Sequence, residues 1–210
     1  TGSPRVGTKS WRPDESSSAP KDIDQQSSPG VDTGMPTNKP DLAQRTEAPK
    51  ANATVRILAV IAVFTALSAV GSLVKISSPL GTVAFDSAPG YFVAAAFGGL
   101  PGAVVACLGH LITAAMTGFP LSLPIHIVIA LGMGICAWTF GLFARRGNVG
   151  MVIGFVLAAL LNSVVLSLIV LPVGGVAMYK GMTVFLLIGT VVNLALAMIA
   201  HLALRRSRIH

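Results

Sequence analysis

Ile57 to Val74 is an 18-residue run without a charge. As a helix it would measure about 27 Å, close to a hydrocarbon core of roughly 30 Å. A polar connector, Lys75 to Ser87, follows and holds Pro79, Gly81 and Asp86. Pro89 then suits a first helical turn, with Asp86 or Ser87 available as cap. Further apolar runs cover Tyr91 to Leu100, Ala103 to Met116, Leu123 to Ala144, Gly150 to Leu171 and Met182 to Leu204. Glycine, proline and arginine clusters separate them. The pattern predicts an all-α integral membrane protein, a six-helix transmembrane bundle over residues 54–208. The second and third runs are short and Gly-rich. They form either two spans or a re-entrant pair, and both choices leave the later orientations unchanged.

Charge sharpens this picture. Residues 1–53 hold seven Lys/Arg and seven Asp/Glu, whereas residues 54–210 hold eight Lys/Arg and one acid, Asp86. Nine such charges in 157 residues cannot cover a water-facing surface. The chain's net +7 therefore reports orientation rather than affinity for nucleic acid. With both termini cytoplasmic, Arg56, Arg145, Arg146, Arg205, Arg206 and Arg208 lie inside, and only Lys75 and Lys180 lie outside. Residues 1–53, with seven of the 13 prolines, are expected to form a disordered polar tail. Ile57–Val74 is read as a retained helix, being too long for a signal-peptide core and preceded by too long a polar stretch.

Few polar residues enter the apolar runs, so each can be weighed. The predicted orientation gathers Asp86, Tyr91, Phe119, His126, Tyr179 and Lys180 at the outer level, with Asn162 in the outer half of the fifth segment. His110, Thr113 and Thr117 share one helix face, at i, i+3 and i+7. Asn193 falls near the middle of the last segment. Each has a plainer reading: Asp86 as a helix cap, His110 and the asparagines as bonds between helices, the tyrosines as interface residues. Cys107 and Cys136 are small apolar residues without metal spacing. His110 and His126, sixteen apart on different segments, are a weak metal signal. No GxxxxGK[ST], HExxH or GxSxG occurs, and no pair of carboxylates lies within the membrane. The chain is expected to be neither an ATPase nor a hydrolase; no catalytic residue, metal or cofactor is implied.

Six short helices, cytoplasmic termini, a small-residue first helix, a long first outer connector and no ATPase motif resemble the S component of energy-coupling factor (ECF) transporters. The resemblance covers residues 54–208. It implies a vitamin-binding subunit in the cytoplasmic membrane of a prokaryote, working with a transmembrane T subunit and two ABC-type ATPases. In that family an AxxxA arrangement on the first helix meets the T subunit. Here Ala62 and Ala66 fit it, with Ala59 and Ala69 extending the small face; small side chains at i and i+4 let helices approach closely. Phe85-Asp86-Ser87-Ala88-Pro89-Gly90-Tyr91 and Thr117 to His126 look most like the type for cobalamin precursors, the α-ribazole type.

That resemblance implies a pocket opening outward. A benzimidazole riboside wants a flat slot, offered by Phe85, Tyr91, Phe119 and Tyr179. It also wants hydrogen-bond partners, offered by Asp86, His126 and Asn162. Only Lys75 and Lys180 lie on that side, so a neutral ligand is expected. Competing readings are an S component for a pyrimidine, a pterin or pantothenate, a small intramembrane enzyme using His110 and His126, and a structural assembly factor.

Overall fold

The computed structural model describes residues 42–78 and 81–207. α1 (Leu42–Gly71) leads into an antiparallel hairpin of β1 (Lys75–Ser78) and β2 (Gly81–Ala84), paired from Lys75↔Ala84 to Ser78↔Gly81. Then come α2 (Ala88–Ala96), α3 (Gly99–Met116), α4 (Leu123–Ala144), α5 (Asn148–Leu160) and α6 (Leu171–Ser207). Between α5 and α6 the chain winds as a π turn (Leu161–Val165) and a 3₁₀ turn (Leu166–Val170). Among the described residues, four stretches are long and apolar enough to cross a membrane: Asn52–Gly71, Gly99–Met116, Leu123–Ala144 and Asn148–Ser207.

Three features depart from the sequence expectation, the first being that the run Gly150 to Leu171 is α-helical only to Leu160 before the π and 3₁₀ turns. The connector read as plain loop carries the hairpin, where β-branched Ile76, Thr82 and Val83 favour extended backbone. α1 begins at Leu42, inside the stretch expected to be tail, because Leu42, Ala43, Gln44, Arg45, Glu47 and Ala48 form helices readily. The expectation for residues 1–41 lies outside the described residues.

α2 is the centre of the bundle and touches α1, α3, α4 and α6. Its nine residues rise only about 14 Å, half a hydrocarbon core, and Pro89 to Ala95 are all buried. It folds back on α3 as a helical hairpin, Gly90 lying against Ala106 and Gly102 against Ala94. Gly98 makes the turn at φ 128°, a value that favours glycine. On its other side α2 meets α4, where Gly141 lies against the backbone of Ala94. Aromatic rings complete the contacts: Phe92 stacks on Phe64 of α1 at 5.1 Å, and Tyr91 meets Phe140 of α4 edge-on at 5.8 Å.

α6 is broken at Gly175, whose φ of 66° and ψ of −166° are not helical. Residues on the two sides of this break touch: Asn162 bonds Thr190, Ser167 bonds Thr183 at 3.0 Å, and Tyr179 donates to the Val164 carbonyl at 3.4 Å. The chain therefore turns back on itself near Pro172–Gly175 and forms an antiparallel helical hairpin.

A Cβ at residue 141 would lie 2.6 Å from the Ala94 carbonyl oxygen. Gly141→Val is expected to cost roughly 1–3 kcal/mol, the usual range for overpacking. Thermal unfolding in detergent measures it, with Leu131→Ala on the exposed face of α4 as the control. Equal stability of both variants would contradict the close α2–α4 approach.

Candidate functional site

A cavity of about 510 Å³ lies among α3, α4, the π and 3₁₀ turns, α6 and the Ala84–Ser87 segment. This is within the usual range for small-molecule sites, roughly 300–1,000 Å³. α3 contributes His110 and Thr113, and its C-cap Thr117 continues the face predicted by their spacing. The α3–α4 loop adds Pro120 and Leu121, and α4 adds His126, Ile129 and Met133. Where α5 gives way to π and then 3₁₀ geometry, Asn162, Leu166, Ser167, Ile169 and Val170 face the cavity in close succession. Such local rewinding is frequent at functional sites. Met178, Met182, Thr190 and Asn193 close the wall from α6.

The two histidines, distant in sequence, meet here. His110 Nε2 and His126 Nδ1 are 3.2 Å apart, with their rings tilted at 32°. The Leu121 N–H donates to His126 Nε2 at 3.5 Å. A nitrogen that accepts there must present its lone pair, so the proton of a neutral His126 sits on Nδ1 and points at His110 Nε2. His110 then carries its own proton on Nδ1. Both ring nitrogens of His126 are thereby committed within the protein. Phe119 leans edge-on against His126 at 5.8 Å between ring centres. Its φ of 49°, with Ser122 at 81°, marks a loop held in a sparsely populated backbone conformation.

Asp86 is buried on the cavity wall, and among the described residues it accepts a hydrogen bond from Ser87 Oγ at 3.4 Å. Ser87, not Asp86, occupies the N-cap position of α2, and its side chain makes no capping bond. Asp86 is thus not held as a helix cap. Asn162 donates through Nδ2 to Thr190 Oγ1, and its Oδ1 has no hydrogen-bond partner among the described residues. Threonine hydroxyls turn back to their own helix: Thr113 bonds the Gly109 carbonyl and Thr117 the Thr113 carbonyl, each at 3.0 Å. Among the described residues no lysine or arginine lines the cavity. Among the described residues no group of three or more His, Cys, Asp or Glu is placed to hold a metal.

Of the predicted substrate residues, the structure brings Asp86, His126 and Asn162 together on the cavity wall. Tyr91, Phe119 and Tyr179 are not part of that wall. Tyr91 is buried in the core against Phe140, its hydroxyl unpartnered among the described residues. Phe119 touches His126 from the side, and Tyr179 bonds the Val164 carbonyl. The flat apolar wall expected from aromatics comes instead from Met133, Met178 and Met182 with branched aliphatic residues. No spacing in the sequence pointed to those methionines. His110 and Asn193 were legible as intramembrane polar residues, but not as neighbours of Asp86.

A family model described as "ECF transporter, substrate-specific component" matches residues 56–204. No curated protein matches the chain. One solved structure, described as "Structure and mechanism of the S component of a bacterial ECF transporter", is similar at a TM-score of 0.49 and 20% identity. That similarity covers 74% of this chain and 96% of the other.

The histidine arrangement has a direct spectroscopic consequence. In ¹⁵N-histidine-labelled protein at neutral pH, long-range proton–nitrogen correlations should show His126 protonated on Nδ1 and unprotonated on Nε2. A reversed tautomer would remove Leu121 as the donor and break the assigned order.

Proposed function

The chain belongs to the ECF transporter substrate-specific components, and from that premise we propose that it captures a small neutral vitamin precursor, α-ribazole fitting best, for ATP-driven import by partner subunits. The observation that carries this reading is the set of polar groups left uncommitted on the cavity wall. Among the described residues these are two acceptors, the Asp86 carboxylate and Asn162 Oδ1, and one donor, the His110 Nδ1–H. A ribose supplies hydroxyl donors for the acceptors, and an unsubstituted benzimidazole nitrogen accepts from the donor. Methionine sulfurs suit the face and edge of the ring. A cavity wall with a carboxylate and, among the described residues, no lysine or arginine disfavours a phosphorylated or carboxylate ligand. His126, with both nitrogens engaged, acts in this reading by holding His110.

The fold is read as six membrane segments when the two arms around Gly175 are counted separately and α2 is taken as a short inner helix. Both termini lie on the cytoplasmic side of a prokaryotic cell membrane, because six arginines then lie inside and two lysines outside. The cavity residues beside the Asp86, Leu121 and Met178 connectors then face outward. α1 is the natural meeting place for the T subunit, which in turn contacts two ABC-type ATPases. The most apolar window of Asn52–Gly71 is 6% buried, against 28–44% for the other spans. Ala62 and Ala66 both lie on its exposed surface.

Ligand identity is tested by mass spectrometry of copurified small molecules and by calorimetry with α-ribazole. Wild type should bind the riboside and bind its 5′-phosphate at least about tenfold more weakly, the scale of one unfavourable buried polar contact. Asp86→Asn keeps the size but places an N–H donor where an acceptor is needed, and should weaken binding by roughly 1–3 kcal/mol. Copurification of a pyrimidine, a pterin or pantothenate would keep the transporter and replace the ligand. Unchanged affinity in Asp86→Asn would remove Asp86 from the site.

Assembly has its own test. Ala62→Leu and Ala66→Leu should each reduce recovery of the T subunit in pull-downs, since bulky side chains hold packed helices apart. Ligand affinity of the isolated subunit should not change. Full assembly in both variants would place the partner on another face.

A further inference from the structure

Asn193 is 1% exposed in the middle of α6, where an unpaired amide would be costly. Its side chain makes three hydrogen bonds. Nδ2 donates to the Ala84 carbonyl at 3.0 Å and to the Gly189 carbonyl at 2.9 Å, and Oδ1 accepts from the Ala88 N–H at 2.9 Å. Ala84 ends β2 and Ala88 opens α2. The two backbone groups gripped by Asn193 therefore bracket Asp86.

The Ala88 N–H is among the first-turn donors that a helix cannot satisfy internally. Asp86 and Ser87 are the residues the sequence offers for this task, yet the Ser87 side chain makes no cap bond. An amide from another helix satisfies the donor instead. Both Asn193 N–H groups and one of its oxygen lone pairs are used in this way, so the residue has little left to offer a ligand although it borders the cavity.

We propose that Asn193 is a positioning residue for the ligand site: by clamping Ala84 and Ala88 it caps α2 from outside and holds the Asp86 carboxylate free on the cavity wall. This rests on the reading of the cavity as the substrate site. Replacement by Asp keeps the acceptor for Ala88 but sets a carboxylate against the Ala84 carbonyl. Replacement by Ala removes both grips. Thr keeps one donor and one acceptor.

The test is a double-mutant cycle on the purified full chain, with α-ribazole as the titrated probe. Asn193→Ala should lower affinity roughly tenfold, the scale of losing a buried polar partner, with Asn193→Thr intermediate. Combined with Asp86→Asn, the Asn193 change should add little, because its effect runs through Asp86. Multiplying losses in the double variant would overturn the proposal, since a general loss of fold acts independently of Asp86. Hydrogen exchange supplies a readout that needs no ligand. Amides 84–91 should exchange faster in Asn193→Ala or, should that variant not fold, in Asn193→Thr, with α4 amides unchanged. No local change, or a uniform change along the chain, refutes the clamp. Failure of wild type to bind α-ribazole defeats the ligand reading alone, and the exchange measurement still decides the clamp.

Discussion

A polar side chain surrounded by hydrocarbon has to find its partner inside the protein or in what the protein binds. Asn193 meets that requirement through the backbone of Ala84, Ala88 and Gly189, and His126 through the Leu121 N–H and His110. Ser163 and Ser167 turn back to carbonyls of their own helix segment. Asp86, Asn162 and His110 are only partly satisfied, and all three border one cavity. Among the described residues, Thr65, Ser68 and Tyr91 keep buried hydroxyls without a partner elsewhere in the bundle, but on the cavity wall the spare capacity is that of these three side chains, two of them acceptors.

Concentrating those groups depends on how closely the helices approach. α2 is too short to cross a bilayer, yet it is packed on four sides, with Ala94 against both Gly102 and Gly141. Small residues replace the hydrophobic driving force that water would supply, because lipid tails are as apolar as the side chains. The buried position of α2 fixes its first turn, and with it the backbone from Ala84 to Ala88. A bulkier α2 would move Asp86 away from Asn162 and the histidine pair.

Much of the architecture was legible in the sequence. Leu123–Ala144 is a helix with the predicted ends, and the third and last apolar runs lie inside longer helices. The i, i+3, i+7 face of His110, Thr113 and Thr117 borders the cavity as its spacing implies. The expected orientation grouped Asp86, His126 and Asn162 with Tyr91, Phe119 and Tyr179, and the first three share the cavity wall. Azimuth could not be read this way. Tyr91 faces Phe140 in the core, and Phe119 touches His126 from the side. Periodicity assigns a residue to a face without saying which helix that face meets. The Asn193 contacts join residues 105 and 109 apart, beyond any local pattern. The π turn was hidden because Leu161 to Val170 has the composition of an ordinary apolar helix.

The segment carrying Asp86 is also tied to α1. The Phe85 N–H donates to the Gly71 carbonyl at 3.2 Å, and Gly71 leaves no room for a Cβ beside the Phe85 carbonyl. Ser68 of α1 packs directly on Gly109 of α3, one residue from His110. The same helix presents Ala62 and Ala66 on its exposed surface. One helix thus joins an exposed small-residue surface to the backbone that holds the carboxylate, while α6 grips that backbone through Asn193. The backbone from Ala84 to Ala88 is therefore held from two sides, by the Phe85 N–H bonds to the Gly71 and Val74 carbonyls and by the Asn193 bonds to Ala84 and Ala88.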